Sequence, residues 1–228
     1  MKRLFTLVFT CLILLMNNSL AHVKHYSKVK HLKYNLFFNN ELIGHHIFDF
    51  KKKDGMLEVN GAGSFKVSKL GIDLMKYTTN SWAIYQENQL IKFNSKTIQN
   101  NKKKYVKIAL LKENILSVEG SSFKGETDSN SMVSSWWNHE IVTKTKQISS
   151  VSGRIIDQKV RFLGKEKVII DNKVFETLSF HIFSNDNKPM KEKKVNIKIW
   201  YDIETLIWIK ASYDKLGKWE YRIADIKY

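Results

Sequence analysis

The chain has 228 residues, 43% of them hydrophobic, which is enough for one domain with a buried core and argues against two domains of ordinary size. Its thirteen Phe, nine Tyr and six Trp exclude a disordered chain, and its single cysteine, Cys11, excludes a disulfide scaffold. The net charge of +16 suits an anionic partner such as lipid, but the lysines recur singly along the chain, so we expect no nucleic-acid partner.

The amino terminus has the features of a secretory signal. Lys2 and Arg3 precede an apolar run over residues 4–16, which is shorter than the ~20 residues of a membrane-spanning helix. The Ser19-Leu20-Ala21 sequence favours cleavage after its alanine, and an uncleaved anchor is the alternative. We therefore expect a periplasmic or secreted protein that is not integral to the membrane once the signal is removed.

Alternation of apolar and polar residues predicts β-strands through most of the remaining chain and little helix. The candidates are residues 32–38, 43–50, 57–67, 72–77, 82–86, 90–97, 105–111, 115–118, 175–183, 195–201 and 206–213. Turn sequences rich in Asn and Gly separate many of them. This series predicts an all-β fold, a curved antiparallel meander that forms a barrel-like or half-barrel shell.

A long polar segment interrupts the alternation. The expected organisation is a signal peptide (1–21), a flexible lead-in (22–30) and a single antiparallel β domain (31–228) with a long loop at about 121–150. The loop contains Trp136 and Trp137, which predict an aromatic plug. Because adjacent loop residues cannot both face one core strand, we expect one of them to cover a cavity mouth or to pack across an open barrel end.

A transmembrane β-barrel is the rival fold. It also combines an export signal with alternating strands, and it often ends on an aromatic residue such as Tyr228. Counting back by twos from Tyr228 places Arg222 and Glu220 on the lipid face, where charged side chains are unfavourable. We therefore favour a domain outside the membrane.

Short motifs spread through the chain together resemble an exported bacterial family. They are NELIGH at 40–45, FKV at 65–67, Tyr77, Trp82, NQL at 88–90, SKT at 95–97, SW at 135–136 and WYD at 200–202. The family is known only as domain of unknown function DUF6134, with DUF3108 as a broader relative. Asn80-Ser81 stand where the family often has an acidic residue, and Asn100-Asn101 where it has an Asn-Gly turn. The resemblance implies a curved antiparallel sheet in the cell envelope and carries no known activity or catalytic residues.

The aromatic residues predict a ligand site. The concave side of a curved sheet could hold an apolar or sugar-like ligand against Trp82, Tyr85, Trp136, Trp137, Trp200, Tyr201, Trp208, Trp219 and Tyr221. The predicted ligand-binding residues are Trp82, Tyr85, Trp136, Trp137, His139, Trp200 and Trp208. Packing in the core is the competing interpretation for most of them, because sheets normally bury aromatic residues.

No metal or other cofactor is predicted. The free amine of His22 could chelate copper with a second histidine, but no histidine pair has helical metal-binding spacing and the only cysteine lies in the signal. His139 and Glu140 lie near serines of residues 131–135, yet no Gly-x-Ser-x-Gly elbow is present, so we name no catalytic residue.

The sequence thus favours a protein that binds an apolar or amphiphilic ligand of the cell envelope, such as a lipid. One alternative is a scaffold that pairs with an envelope protein through an exposed strand edge, and another is a hydrolase acting on envelope glycan or lipid. Ligand binding predicts a cavity walled by Trp and Phe. An enzyme predicts titratable groups that converge in such a cavity, and a scaffold predicts a long uncovered edge without one.

Overall fold

A computed structural model describes Tyr26 and residues 28–228 of the chain. The predicted signal peptide, its cleavage site and His22 lie outside this part of the chain. Within it, no helix is both long enough and apolar enough to cross a membrane.

Fifteen β-strands form one sheet in the described part of the chain. They are β1 (His31–Phe38), β2 (Glu41–Lys53), β3 (Met56–Lys69), β4 (Ile72–Gln86), β5 (Gln89–Gln99), β6 (Lys102–Lys112), β7 (Ile115–Gly120), β8 (Phe123–Asp128), β9 (Ser131–Val133), β10 (Lys146–Ile148), β11 (Ile155–Ile170), β12 (Lys173–Ser184), β13 (Asn196–Asp202), β14 (Trp208–Asp214) and β15 (Lys218–Lys227). Short 3₁₀ helices occupy His139–Thr143 and Met190–Glu192. The predicted all-β fold is confirmed.

The sheet curls on itself into a nearly closed barrel. Its order runs from β8 back to β1 and then from β15 down to β9, so that β8 and β9 are the two edges. Only Ser129 and Asn130 join these edges, which therefore meet in space. The hydroxyls of Thr127 and Ser131 lie 2.6 Å apart at the seam, and the Ser122 amide donates to the Ser152 carbonyl oxygen at 2.9 Å. The predicted barrel-like shell is thus confirmed.

Successive turns of the meander lie at alternating ends of the barrel. The mouth end, as we call it, carries the β1–β2, β3–β4, β5–β6 and β14–β15 turns and the β12–β13 connection. The base end carries the β2–β3, β4–β5, β6–β7, β11–β12 and β13–β14 turns.

Six hairpins are closed by two-residue turns with positive φ at both positions. They are Asn39-Asn40, Asp54-Gly55, Leu70-Gly71, Glu87-Asn88, Asn100-Asn101 and Asp171-Asn172. Positive φ at both central residues is the geometry that matches the twist of paired strands, and Asn, Asp and Gly adopt it at least cost. The predicted Asn- and Gly-rich turns are therefore confirmed, and Leu70 is the one apolar side chain among the first positions.

Strand β11 is absent from the sequence prediction. Its pairing with β12 shifts register between Phe162 and Gly164, and Gly164 has a φ of 120°. The shift moves the later residues of the strand to the other face, and Phe162, Leu163 and Ile169 are exposed. The alternation of apolar and polar residues is therefore interrupted within β11, although the strand begins and ends with apolar residues.

Two segments are more ordered than the sequence suggested. Residues 121–150, predicted as one long loop, contain β8, β9, β10 and a 3₁₀ helix, which leaves residues 134–145 as the part without strands; we call this the inner loop. In the predicted flexible lead-in, Tyr26 is 1% exposed and Val29 3% exposed. The described part of the lead-in, Tyr26 and residues 28–30, thus contributes two side chains to the core.

Candidate functional site

The inner loop crosses the interior of the barrel and closes its base end. The Trp137 side chain is 1% exposed and meets three rings edge-on, with centroid distances of 5.2 Å to Tyr26, 5.2 Å to Phe50 and 5.6 Å to Tyr85. Edge-to-face contacts of this kind stabilise aromatic clusters beyond their burial. The base half of the barrel is therefore a packed core.

Hydrogen bonds from buried strand residues fix the inner loop. The Tyr201 hydroxyl donates to the Trp136 carbonyl oxygen at 2.8 Å. The Gln158 amide donates to the carbonyl oxygens of Ile141 and Lys144, at 2.8 and 2.9 Å. Burial raises the pKa of Tyr201 well above its ordinary value, so its hydroxyl stays protonated as a donor. The loop is held at a fixed depth in the barrel.

Trp136 faces the opposite side of the inner loop. Its ring meets Trp208 and Tyr221 edge-on, at centroid distances of 5.7 and 5.6 Å. Above it lies a cavity of about 870 Å³, which is within the size range of small-molecule sites. Trp136 thus lines the floor of a cavity at the mouth end, and its neighbour Trp137 fills the core below.

Aromatic rings form a continuous wall of the cavity. Phe65 stacks on Tyr77 with centroids 4.7 Å apart and meets Trp219 edge-on at 5.4 Å. Trp219 in turn stacks on Tyr213 at 5.7 Å, with ring planes only 4° apart. Burial raises the pKa of Tyr213 and of Tyr221, so these phenols are uncharged at neutral pH. The wall is therefore neutral and mostly apolar.

Polar groups are few inside the cavity and are mostly bonded to the protein. Ser134 Oγ accepts a hydrogen bond from the Ser150 amide at 3.1 Å, and the Gln147 amide donates to Gln158 Oε1 at 2.8 Å. Gln99 Oε1 accepts from Lys104 Nζ at 2.8 Å. These contacts leave the aromatic wall as the main surface available to a ligand.

Charge is concentrated where the cavity reaches the surface. Its lining includes Lys191, Lys193, Lys194 and Lys215, together with the carboxylates of Glu192 and Asp214. Lys193 is held by Asp186 at 2.9 Å, whereas Lys191, Lys194 and Lys215 are exposed and form no ion pair with any described residue. The mouth is thus positively charged and the interior is not, which is the polarity that an amphiphile with an anionic head would match.

The structure places the seven predicted ligand-binding residues in three environments. Trp136 lines the cavity. Four others, namely Tyr85, Trp137, His139 and Trp208, are buried in the core. Trp82 and Trp200 lie on the outer face of the barrel, where Lys92 Nζ is 5.8 Å from the Trp82 ring centroid and Lys210 Nζ is 5.4 Å from that of Trp200. Only one of the seven therefore reaches the cavity.

Most of the aromatic residues that line the cavity were not among the predicted ligand-binding residues. Trp219 and Tyr221 belonged to the wider aromatic set, while Phe65, Tyr77 and Tyr213 did not. Each of these five residues shares the inward phase of its strand with buried residues, so alternation contained a signal for them. The alternation of apolar and polar residues does not show which inward-facing side chains are covered by the inner loop and which line an open cavity.

His139 and Ser131, which were among the candidates for a hydrolytic site, are bonded to other parts of the fold. His139 Nδ1 lies 3.2 Å from the Tyr26 hydroxyl, which donates to the Leu206 carbonyl oxygen at 3.0 Å. Ser131 is bonded to Thr127 at the seam. In the described part of the chain, no group of three or more His, Cys, Asp or Glu side chains could hold a metal ion.

Comparison with known proteins supports the fold. A family model described as "Domain of unknown function (DUF6134)" matches residues 34–224. Three chains of solved structures match, among them the crystal structure of a β-barrel-like protein of domain of unknown function DUF1849 from Brucella abortus. That match has 10% sequence identity and a TM-score of 0.62, and it covers 88% of this chain and 98% of the other. The curated proteins contain no match.

Proposed function

We propose that this chain, which belongs to the DUF6134 family of domains of unknown function, binds an apolar or amphiphilic ligand in the cavity above the inner loop. The family name carries no activity, so the proposal depends on the cavity itself. The observation that carries it is the open volume of about 870 Å³ beside a wall of neutral aromatic rings.

An unfilled aromatic cavity is unfavourable for folding alone. Side chains at a void lose contacts on one side, and each cavity-lining atom forfeits part of its dispersion energy. A ligand that covers the wall would regain those contacts and remove apolar surface from water, at roughly 25 cal/mol per Å². The rings of Phe65, Tyr77 and Trp219 are placed to provide this surface.

The charge distribution favours an amphiphile over a purely apolar ligand. An apolar chain would lie along the aromatic wall, and a polar or anionic head would lie near Lys191, Lys194 and Lys215 at the mouth. Envelope lipids have this chemistry. The signal-like amino terminus supports export, and we therefore propose that the protein acts in the periplasm or outside the cell on an envelope amphiphile.

A cavity-filling substitution tests this proposal. Met75 lines the cavity and is half-buried, so Met75→Trp should occupy part of the volume while the barrel remains folded. We expect the wild type to bind the fluorescent probe N-phenyl-1-naphthylamine saturably, and Met75→Trp to bind it at least about tenfold more weakly, a loss of ~1.4 kcal/mol.

The control places the same side chain far from the cavity. Val174 is 59% exposed on β12 near the base end, and Val174→Trp should bind the probe like the wild type. If the wild type shows no saturable fluorescence increase, or if Met75→Trp binds as tightly as Val174→Trp, then the cavity is not the site.

A further inference from the structure

Exposed leucines surround the mouth of the cavity. Leu70, in the β3–β4 turn, is 94% exposed, and Leu216, in the β14–β15 turn, is 98% exposed. They are the two most exposed large hydrophobic side chains among the described residues. Leu74, on the strand that follows the first turn, lines the cavity together with Leu216. Two hairpin tips with apolar ends therefore flank one opening.

The turn conformation makes these leucines unusual. Leu70 and Leu216 have φ values of 51° and 57°, a region that bulky side chains rarely adopt. The first positions of the five other two-residue turns are Asn, Asp or Glu. Leu206 also has positive φ, but it lies at the base end and is partly buried. Folding gains nothing from a strained, fully exposed leucine, which points to a contact outside the chain.

Basic residues accompany the exposed leucines. Lys69 precedes Leu70, Lys215 precedes Leu216, and Lys191 and Lys194 lie in the β12–β13 connection that borders the same opening. All four are exposed and form no ion pair within the described chain. Apolar tips flanked by lysines are the composition of surfaces that insert shallowly into an anionic bilayer.

We propose that the mouth end docks on an anionic lipid bilayer, with Leu70, Ile72 and Leu216 entering the interface and the neighbouring lysines contacting the headgroups. Ile72 is 66% exposed on the same hairpin. Docking in this orientation turns the cavity opening toward the membrane. The inference concerns the surface around the mouth and does not require a ligand to be bound inside.

Vesicle flotation tests the docking surface. The wild type should float with large vesicles of equimolar phosphatidylcholine and phosphatidylglycerol, should float poorly with phosphatidylcholine alone, and should dissociate as salt is raised. The Leu70→Asp/Ile72→Asp variant should show at least about tenfold lower partitioning. Neither residue lines the cavity, so this variant should still bind N-phenyl-1-naphthylamine, which separates failure of docking from failure of ligand binding.

Two further variants complete the test. Lys191→Glu/Lys194→Glu/Lys215→Glu should also lose at least about tenfold in partitioning to the anionic vesicles. The matched control is Leu111→Asp/Val174→Asp, which changes residues 53% and 59% exposed near the base end and should float like the wild type. Equal binding to both vesicle types, no binding at all, or unchanged flotation of the leucine or lysine variants would overturn the proposal.

Discussion

Replacing Trp137 with alanine is expected to lower the free energy of unfolding by about 3–5 kcal/mol, the usual cost of removing a large buried aromatic side chain. Trp137 is 1% exposed and fills the space between Tyr26, Phe50 and Tyr85. These contacts join the inner loop, the lead-in and two distant strands. The loss should appear as a lower midpoint in guanidinium unfolding, followed by circular dichroism.

The matched control is Trp82→Ala. Trp82 is half-buried on the outer face of the barrel, so its removal should cost about 1 kcal/mol or less. Trp136→Ala should also lower the free energy of unfolding by less than Trp137→Ala does, because the Trp136 side chain borders a cavity that is already present. The same variant should bind N-phenyl-1-naphthylamine more weakly than the wild type. If the Trp137→Ala and Trp82→Ala variants unfold at the same guanidinium concentration, then the inner loop is not part of the core in the base half of the barrel.

Replacing Glu220 with glutamine is expected to cost about 3 kcal/mol at neutral pH. Glu220 is 4% exposed on the outer face of β15, and Lys210 and Lys218 lie 3.0 and 3.1 Å from its Oε1, with Arg222 on Oε2. Removal of a buried partner leaves its counter-charges uncompensated, and such losses are typically 3–5 kcal/mol. We expect the lower end because the three cations are partly exposed.

The same group makes stability depend on pH. Burial by itself raises the pKa of Glu220, but hydrogen bonds from Arg222 and Lys210 outweigh burial and lower it from 4.5 to about 2. The unfolded chain therefore takes up this proton first, and the stabilisation is complete above pH 4.5 and is lost as pH falls toward 2.

Denaturant unfolding at neutral and acidic pH measures this contribution. The difference in stability between wild type and Glu220→Gln should shrink as pH falls through the range from 4.5 to 2. Glu41→Gln, at an exposed position on β2, should change stability by less than about 0.5 kcal/mol at either pH. A difference between wild type and Glu220→Gln that stays constant across this range would show that the carboxylate is not held by its cations.

The strands were predictable because their information is local. Along β13, Ile197 and Ile199 are buried while Lys198 between them is exposed, which is the alternation seen in the sequence. The alternation of burial ends at Trp200, which is buried on the outer face. The two-residue Asn turns are similarly local, since positive φ at both positions restricts the residue types. β11 was missed because the register shift at Gly164 interrupts its period.

The cavity was less predictable because its position depends on how far the inner loop extends into the barrel. Trp200 is on the outer face, where its indole N–H donates to Glu166 Oε2 at 2.8 Å, and its neighbour Tyr201 points inward. A difference of one residue in strand phase thus separates the inner face from the outer face of the barrel, and Trp200 is only 8% exposed on that outer face. The open layer at the mouth exists because the inner loop stops at Trp136, and its wall combines Phe65 and Tyr213 from strands far apart in the chain.

The most direct test of the ligand-binding proposal is native mass spectrometry of protein purified from its own compartment without refolding, before and after organic extraction. We expect additional mass from one amphiphile per chain, its loss on extraction, and its identification in the extract. Met75→Trp should retain less of it and Val174→Trp as much as the wild type. A chain without bound amphiphile before extraction, or equal retention by the two variants, would contradict a ligand site in the cavity above the inner loop.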